Sequence, residues 1–302
     1  MSFVTCDLGI VVVTYNSEHV VSGLLDSLTA GLAGVEADVI VVDNDSIDGT
    51  VTLLECRDNV VVLRSENHGY AAGINRGVAE LPDAKAILVL NPDVRLAPGA
   101  VPALLESLQL PNTGIVAPRV VDGHGALHRS MRREPTLGRA LGLGRTGIPW
   151  LSEYVSEADA YAQPQVADWA LGAALLISRH CFDALGGWDE SFFLYSEETD
   201  FCLRARDMGL LTRYTPAAEV MHIGGQSGQS SYTHAMQIVN RVRLFRRRHN
   251  AIASFSYFLL AVASELSWVV RGNHRSIEAI RALLNPSRRA AVLKSSNSFI
   301  PI

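Results

Sequence analysis

Four short runs, residues 10–14, 39–42, 60–63 and 87–90, are apolar at nearly every position and rich in Val, Ile and Leu. A strand without polar alternation has both faces covered, which is the habit of a parallel sheet with helices on each side. Parallel neighbours need long crossovers, and the intervening segments supply them. Val20, Val21, Leu24, Leu25 and Leu28 recur at three- and four-residue spacing behind Ser17, a residue type that caps helices. Asp48 or Thr50 is placed to start a second helix, and residues 71–80 form a third. The expected fold class is α/β, a Rossmann-like, mostly parallel sheet flanked by helices.

Ligands of such sheets bind beyond the carboxyl ends of the strands. The polar segments there are Thr14-Tyr15-Asn16, Asp43-Asn44-Asp45-Ser46, Asn67-His68-Gly69-Tyr70 and Asn91-Pro92-Asp93. They hold few nucleophile–base pairs and many Asp, Asn and Gly residues, which hydrogen-bond a base and ribose or hold a hard cation through oxygen. Gly69 and Gly73, with Asn75, permit close backbone approach to a ligand. A dinucleotide-binding fingerprint is missing after the first strand. The formal match at residues 142–147 follows no strand and runs into Ile148-Pro149 where a helix should open, so it is chance. Residues 122–165, rich in Gly, Arg and Pro, are expected to form a long loop or lid, and residues 169–178 return to the core.

The net charge of -5 hides an asymmetry, because from Arg241 onward eleven Arg and Lys face only Glu265 and Glu278. An acidic body argues against a nucleic-acid partner, and a basic tail with a long apolar run suits an anionic membrane surface. Cys6, Cys56, Cys181 and Cys202 have neither C-x-x-C spacing nor a His cluster and are expected to be buried thiols in a reducing compartment. The N-terminus has no basic segment before its apolar run, so the catalytic body is expected in the cytoplasm.

The succession VVVTYNS, VVDNDSIDGT, ENHGYAAGINRG, LVLNPDV and GGWDESFFLYSEETDFCLRARDMG closely resembles the family-2 glycosyltransferases of the GT-A fold, over about residues 8–225 and in the family's order. Within the family it is most similar to bacterial rhamnosyltransferases that extend lipid-linked glycans, with galactofuranosyltransferases as near relatives. The resemblance implies an inverting transfer of a sugar from a nucleotide diphosphate. dTDP-L-rhamnose is the expected donor, a UDP-sugar such as galactofuranose the alternative, and a polyprenyl-diphosphate-linked glycan the acceptor. It further implies a divalent cation, Mn2+ or Mg2+.

Carried onto this chain, Asp43 matches the acid that accepts a hydrogen bond from the pyrimidine N3–H, with Thr14, Tyr15 and Asn16 beside it; a helix cap is the alternative for Asp43. Asn67, Gly69 and Asn75 belong to the loop near the nucleotide. Asn91-Pro92-Asp93 stands where the family has Asp-x-Asp, so Asp93 is the metal-binding acid, and the first acid is replaced by Asn91. His222 matches a histidine that completes the metal sphere. Glu198 occupies the position of the base that takes the acceptor proton, and the adjacent Glu197 competes for that role. Trp188 and Asp189 match the acceptor-side loop, where Trp188 either stacks on a sugar or is core. A catalytically weak nucleotide- or carbohydrate-binding protein is the reading from another class, motivated by Asn91 and Glu198.

Residues 251–270 are long enough to span a bilayer and are flanked by Arg246-Arg247-Arg248 and Arg271. Glu265 and four serines weaken a span, since an acid at mid-helix costs roughly 2.5–3.5 kcal/mol on the insertion scale. A helix lying in the membrane interface is expected, and a helical hairpin packed on the body or on a second subunit is the alternative. The chain is accordingly divided into a catalytic domain, residues 1–225, and a basic, apolar helical region, residues 226–302, peripheral on the inner face of the membrane.

Overall fold

A computed structural model describes residues 7–144, 148–224 and 230–293. Cys6, Gly225 and residues 145–147 of the chance glycine motif lie outside them. Strands β1 (Leu8–Thr14), β2 (Asp38–Asn44), β3 (Val61–Ser65) and β4 (Ala86–Leu90) pair in parallel in the order β3-β2-β1-β4. Helices α1 (Glu18–Leu32), α2 (Thr50–Glu55) and α3 (Tyr70–Ala79) supply the crossovers. After β5 (Val94–Leu96) and α4 (Ala100–Leu108), the sheet continues with β6 (Thr113–Val121), β11 (Ala174–Ser178) and β12 (Leu211–His222). The full path is β3-β2-β1-β4-β11-β6-β12-β5, with β11 and β5 antiparallel to their neighbours.

Alternation along β1 sorts its side chains between two cores. Ile10 and Val12 join Leu24, Leu28, Leu88 and Leu104 on the face covered by α1 and α4. Val11 and Val13 join Ile74, Val78, Ile87 and Val89 on the other face, which α3 covers together with α6 (Arg179–Leu185) and α7 (Glu197–Asp207). Because β1 has β2 on one side and β4 on the other, connections leave it in opposite directions, and the crevice of such sheets opens beyond that strand. Helix α1 starts where expected, yet Ser17 makes no side-chain cap; the Glu18 amide donates instead to the Asp48 carboxylate at 3.2 Å.

The segment from Asp122 to Gln165 contains β7 (Leu127–His128), β8 (Met131–Arg132), α5 (Leu137–Ala140) and two turns of 3-10 helix, then β9 (Gln165–Ala167). Strand β10 (Trp169–Ala170) pairs β8 in a separate ribbon. Helices α8 (Ser231–Arg248), α9 (Ala251–Val270), α10 (Arg275–Leu284) and α11 (Pro286–Leu293) form a bundle with its own core of Met236, Val239, Phe245, Tyr257, Phe258 and Leu283. Cys181 and Cys202 are buried as expected, but Cys56 is exposed, because it follows the short amphipathic α2 on its solvent side.

Helix α3 sits unusually near the sheet: a Cβ on Gly77 would lie 2.6 Å from Val11 Cγ1 and 3.2 Å from Val42 Cγ2. These are stiff β-branched partners on central strands. Gly77→Ala should therefore destabilise the protein by roughly 1–3 kcal/mol, an overpacking cost that exceeds the roughly 1 kcal/mol gained in helix propensity. Denaturant unfolding measures it, and an unchanged or raised midpoint would contradict the packing described.

Candidate functional site

Three strand ends and one helix start meet at the crevice. At the end of β1, Thr14 lies in register with Asp43 of β2 and donates to its Oδ1 at 2.8 Å. Ser46 adds its hydroxyl to Oδ1 at 2.6 Å and its amide to Oδ2 at 2.9 Å. Asp43 is thereby fixed and buried, with lone-pair capacity on Oδ2 for one further donor. It does not cap α2, whose N-cap is Gly49. Thr14 is fully buried, so it orients Asp43 and does not line an open pocket. Asn16, in the left-handed region at φ 51°, ties the two loops together by accepting from the Ile47 amide and donating its own amide to Ser46. Tyr15 is exposed between them.

The loop of residues 67–75 serves the fold more than an open ligand surface. Gly69 approaches a neighbouring backbone: its Cβ would lie 2.4 Å from the Phe193 carbonyl oxygen. Asn67 accepts from the Gly69 amide. Asn75 is committed to Trp188, accepting from its amide and donating to its carbonyl, both at 2.9 Å, and also donates to Glu190. Gly69 and Asn75 thus pack this loop closely against residues 187–193, while Gly73 lies against Val13.

Beyond β4, Asn91 accepts from the Tyr70 hydroxyl at 2.7 Å, so its amide oxygen faces a tyrosine. Two residues on, β5 turns antiparallel against the end of β12, and the pairing of Val94 with His222 sets Asp93 beside the imidazole. His222 Nε2 and Asp93 Oδ1 are 3.2 Å apart, although 129 positions separate them in sequence. Burial alone would raise the Asp93 carboxyl; the His222 hydrogen bond and charge outweigh it and hold the group below its ordinary value. Among the described residues no cluster of three or more His, Cys, Asp or Glu side chains encloses a metal. A carboxylate oxygen and an imidazole nitrogen on one edge do fit a hard or borderline cation whose remaining positions face a ligand.

The opposite wall is the start of α7. Tyr195 and Ser196 both take positive φ, 67° and 75°, to turn the chain so that Glu197 and Glu198 enter the interior. Burial pushes both carboxyls up; the neighbouring Glu198 pushes Glu197 further, well above its ordinary value, whereas backbone amides and the Arg132 guanidinium pull Glu198 back. Neither Oε2 atom finds a hydrogen-bond partner among the described residues. The Tyr70 phenol, itself raised by burial, feels Glu197, Glu198 and Asp93 together, so one half-buried ring lies near both walls.

The turn that carries these acids is held from behind by α8, a contribution that sequence reading missed. Asn240, fully buried, donates to the carbonyls of Leu194 and Tyr195 at 2.9 and 3.2 Å. Arg243 donates to the Ser191 carbonyl, and Arg247 pairs with Asp189. Asp189 is therefore engaged with α8. Trp188, only 2% exposed, stacks on Phe201 with ring centroids 5.0 Å apart. The sugar-stacking alternative for Trp188 is corrected to a core role, since the indole has no open face.

A mixed, largely parallel sheet with acids and a histidine gathered beyond its carboxyl ends is the GT-A architecture. A model described as glycosyl transferase family 2 matches residues 9–161, and the chain belongs to that family. It is 31% identical over 93% of its length to the N-acetylglucosaminyl-diphospho-decaprenol L-rhamnosyltransferase of Mycobacterium tuberculosis, covering 95% of that protein. It is 29% identical over 78% of its length to the low-salt glycan biosynthesis hexosyltransferase Agl10 of Haloferax volcanii, covering 74% of it. Among solved structures, the mannosyltransferase PcManGT from Pyrobaculum calidifontis, in complex with GDP-Man and Mn2+, overlays 97% of this chain and 82% of its own with a TM-score of 0.56 at 16% identity, which is a likeness of fold.

The raised carboxyls set a pH signature for stability. A glutamic acid whose folded pKa lies above its unfolded value destabilises the native state once both forms are ionised, and that penalty fades as pH falls towards the unfolded value of about 4.3. Glu197→Gln should raise the melting temperature near pH 8, with the gain shrinking to nothing by about pH 4. Thermal melts across that range test it, and a pH-independent difference would remove the case for a buried, ionisable Glu197.

Proposed function

We propose that this chain is an inverting glycosyltransferase that moves L-rhamnose from dTDP-L-rhamnose to a polyprenyl-diphosphate-linked glycan at the cytoplasmic face of a membrane. The observation that carries the reading is the Asp93–His222 pair together with the buried Glu197 and half-buried Glu198, all three carboxyls acting on the Tyr70 phenol. Support for the sugar and the acceptor comes from the mycobacterial relative, whose name specifies both. We assign residues 1–225 to catalysis and residues 226–302 to support and attachment.

Asp93 and His222 would hold a divalent cation, which would supply positive charge for the donor's diphosphate. Asp43 accepts from the base of the nucleotide, and Asn16 and Asn91 stand at the rims of its pocket. Glu198 is the base in preference to Glu197: two adjacent buried carboxyls do not both ionise readily, and Arg132 favours the charge on Glu198. It removes the proton from the acceptor hydroxyl as that oxygen bonds to the anomeric carbon. The bond from that carbon to the diphosphate oxygen breaks on the opposite side, its electron pair leaves with the nucleotide diphosphate, and configuration inverts.

Glu198→Gln should leave donor affinity intact and lower turnover by roughly 100- to 10,000-fold. Asp93→Ala should abolish the manganese-dependent part of dTDP binding. Calorimetry with dTDP and UDP, together with nucleotide release from each donor sugar, decides the matter. Release from a UDP-sugar alone would replace the donor, binding without release from any donor would leave a binding protein, and a large loss in Glu197→Gln only would exchange the two glutamates.

Attachment is supported by one face of α9. Ile252, Phe255, Leu259, Leu266 and Val270 project to solvent, Ile252 and Val270 at 82% and 89% exposure, while Tyr257, Phe258, Ala261 and Glu265 face the bundle. Glu265 meets His234 Nε2 at 2.8 Å, so the acid that weakened a membrane reading is turned away from the stripe. Arg271, Arg275, Arg281 and Arg288 of the same bundle are exposed, and positive charge of this kind suits an anionic lipid surface. Replacing Phe255 and Leu259 with Asp should reduce partition onto vesicles of anionic phospholipid by roughly 10- to 100-fold, from the loss of two buried apolar side chains. Sedimentation at 0.1 and 1 M salt measures it; unaltered partition in the double variant would return the stripe to a protein partner.

A further inference from the structure

Most arginines outside the site are committed to carboxylates: Arg133 to Glu157, Arg206 to Glu134 and Asp168, Arg241 to Glu153, Arg248 to Asp207. Arg129 and Arg132 belong to those that are not. Among the described residues neither has a carboxylate within ion-pair distance. Arg132 is buried at 7% exposure. Its guanidinium lies 4.1 Å over the Tyr154 ring and 5.8 Å from that of Trp169, and its hydrogen bonds go to the Arg129 and Met131 carbonyls. Arg129 is exposed beside it. A buried cation without an anionic partner is costly, and its own field then favours an anion within reach.

Such an anion has room. A cavity of about 720 Å³ opens at this point, lined by Asp122, Leu127, His128, Arg129, Tyr154 and Ala158. Two contacts fix where it stands relative to the crevice. His128 stacks on His222 with ring centroids 6.1 Å apart, so the cavity adjoins the Asp93–His222 edge. Arg132 of β8 pairs with Trp169 of β10, and three residues on a Cβ at Gly172 would lie 3.3 Å from the Glu198 Cβ, so the cavity is on the side of the base. The one acid in the lining, Asp122, directs Oδ1 to the amides of His124 and Ala126 at 2.9 Å each.

We infer that this cavity is a diphosphate site separate from the donor's, with Arg129 as the guanidinium that binds the acceptor's diphosphate and Arg132 as its positive backing. The inference rests on the reading of a diphosphate-linked acceptor given above. An acceptor sugar whose hydroxyl reaches Glu198 carries its diphosphate several bonds away, and Arg129 lines a cavity that opens from the β8–β10 ribbon next to that carboxylate. Arginine binds phosphate oxygens through two parallel N–H donors, a geometry lysine does not reproduce. Tyr154 and Ala158, both exposed, leave the outer end open for a prenyl chain to leave the protein.

The probe is geranyl diphosphate, titrated calorimetrically into the full chain in EDTA, so that no cation assists the donor site, and again with saturating dTDP and Mn2+. Expected are binding to the wild type under both conditions, at least tenfold weaker binding to Arg129→Ala, partial recovery in Arg129→Lys, and undiminished binding to Asp93→Ala. Loss of the probe on saturation with dTDP and Mn2+, or equal affinities for wild type and Arg129→Ala, overturns the inference, as does absence of binding to the wild type. Should Arg129→Ala fail to fold, its far-ultraviolet dichroism reveals it and Arg129→Gln replaces it. Donor turnover is read separately: a wild type that binds the probe in an Arg129-dependent way but transfers no sugar disproves the proposed function and leaves the diphosphate site standing.

Discussion

The burial of β1 on both faces governs the rest of the molecule. With Ile10 and Val12 in one core and Val11 and Val13 in the other, no position along the strand is open to a polar group. Helices must cover each side, neighbours must be reached by crossover, and polar chemistry is displaced to the strand's carboxyl end. Thr14, Asp43, Asn91 and Asp93 are polar there because the strands that lead to them are not. The second half of the site is then brought in by pairing at the far edge of the sheet, where β5 runs antiparallel to β12 and delivers His222 to Asp93.

The buried glutamates oppose this economy. Two carboxyls side by side in the interior, each with an oxygen lacking a hydrogen-bond donor among the described residues, lower the stability of the native state, and the turn before them adds two non-glycine residues at positive φ. The arrangement persists because its surroundings determine it from several directions. Asn240, Arg243 and Arg247 of α8 grip the preceding loop, while Asn75 fixes Trp188 from the other side. The C-terminal bundle is therefore part of the machinery that positions the start of α7. A truncation that removes α9 would also expose Phe245 and Val239 of α8, so loss of activity in such a variant says little about membranes.

How far the sequence could be read follows from the range of each interaction. Apolar strands, crossover helices and the exact extent of α9 are local patterns, and they were legible. Ordered motifs also placed Asp43, Asp93, His222 and the two glutamates near one another. Side-chain commitments were not legible, because they depend on partners far along the chain. Trp188 meets Phe201, Asn75 meets Trp188 over 113 positions, and Gly69 makes room for the Phe193 carbonyl. An amide or a glycine in a ligand-binding motif has the same appearance in sequence whether it faces a ligand or another loop. Cys56 failed for the opposite reason: thiols are commonly buried, but α2 is a single short helix with an exposed end.

Helix α9 shows why composition by itself could not settle the tail. Summed over twenty residues, Glu265 and the serines dilute an otherwise membrane-like segment, and a summed quantity has no direction. In three dimensions the same residues divide by face. The acid and two aromatic rings turn inward to His234 and Phe245, and the large exposed side chains of the outward stripe are apolar. A spanning helix would have to expose Glu265 to lipid once the bundle opened, whereas a helix held against α8 and α10 keeps that ion pair and presents only apolar side chains. The His234–Glu265 contact therefore favours a helix lying on a surface over one crossing it, and it fixes which face of the bundle looks outward.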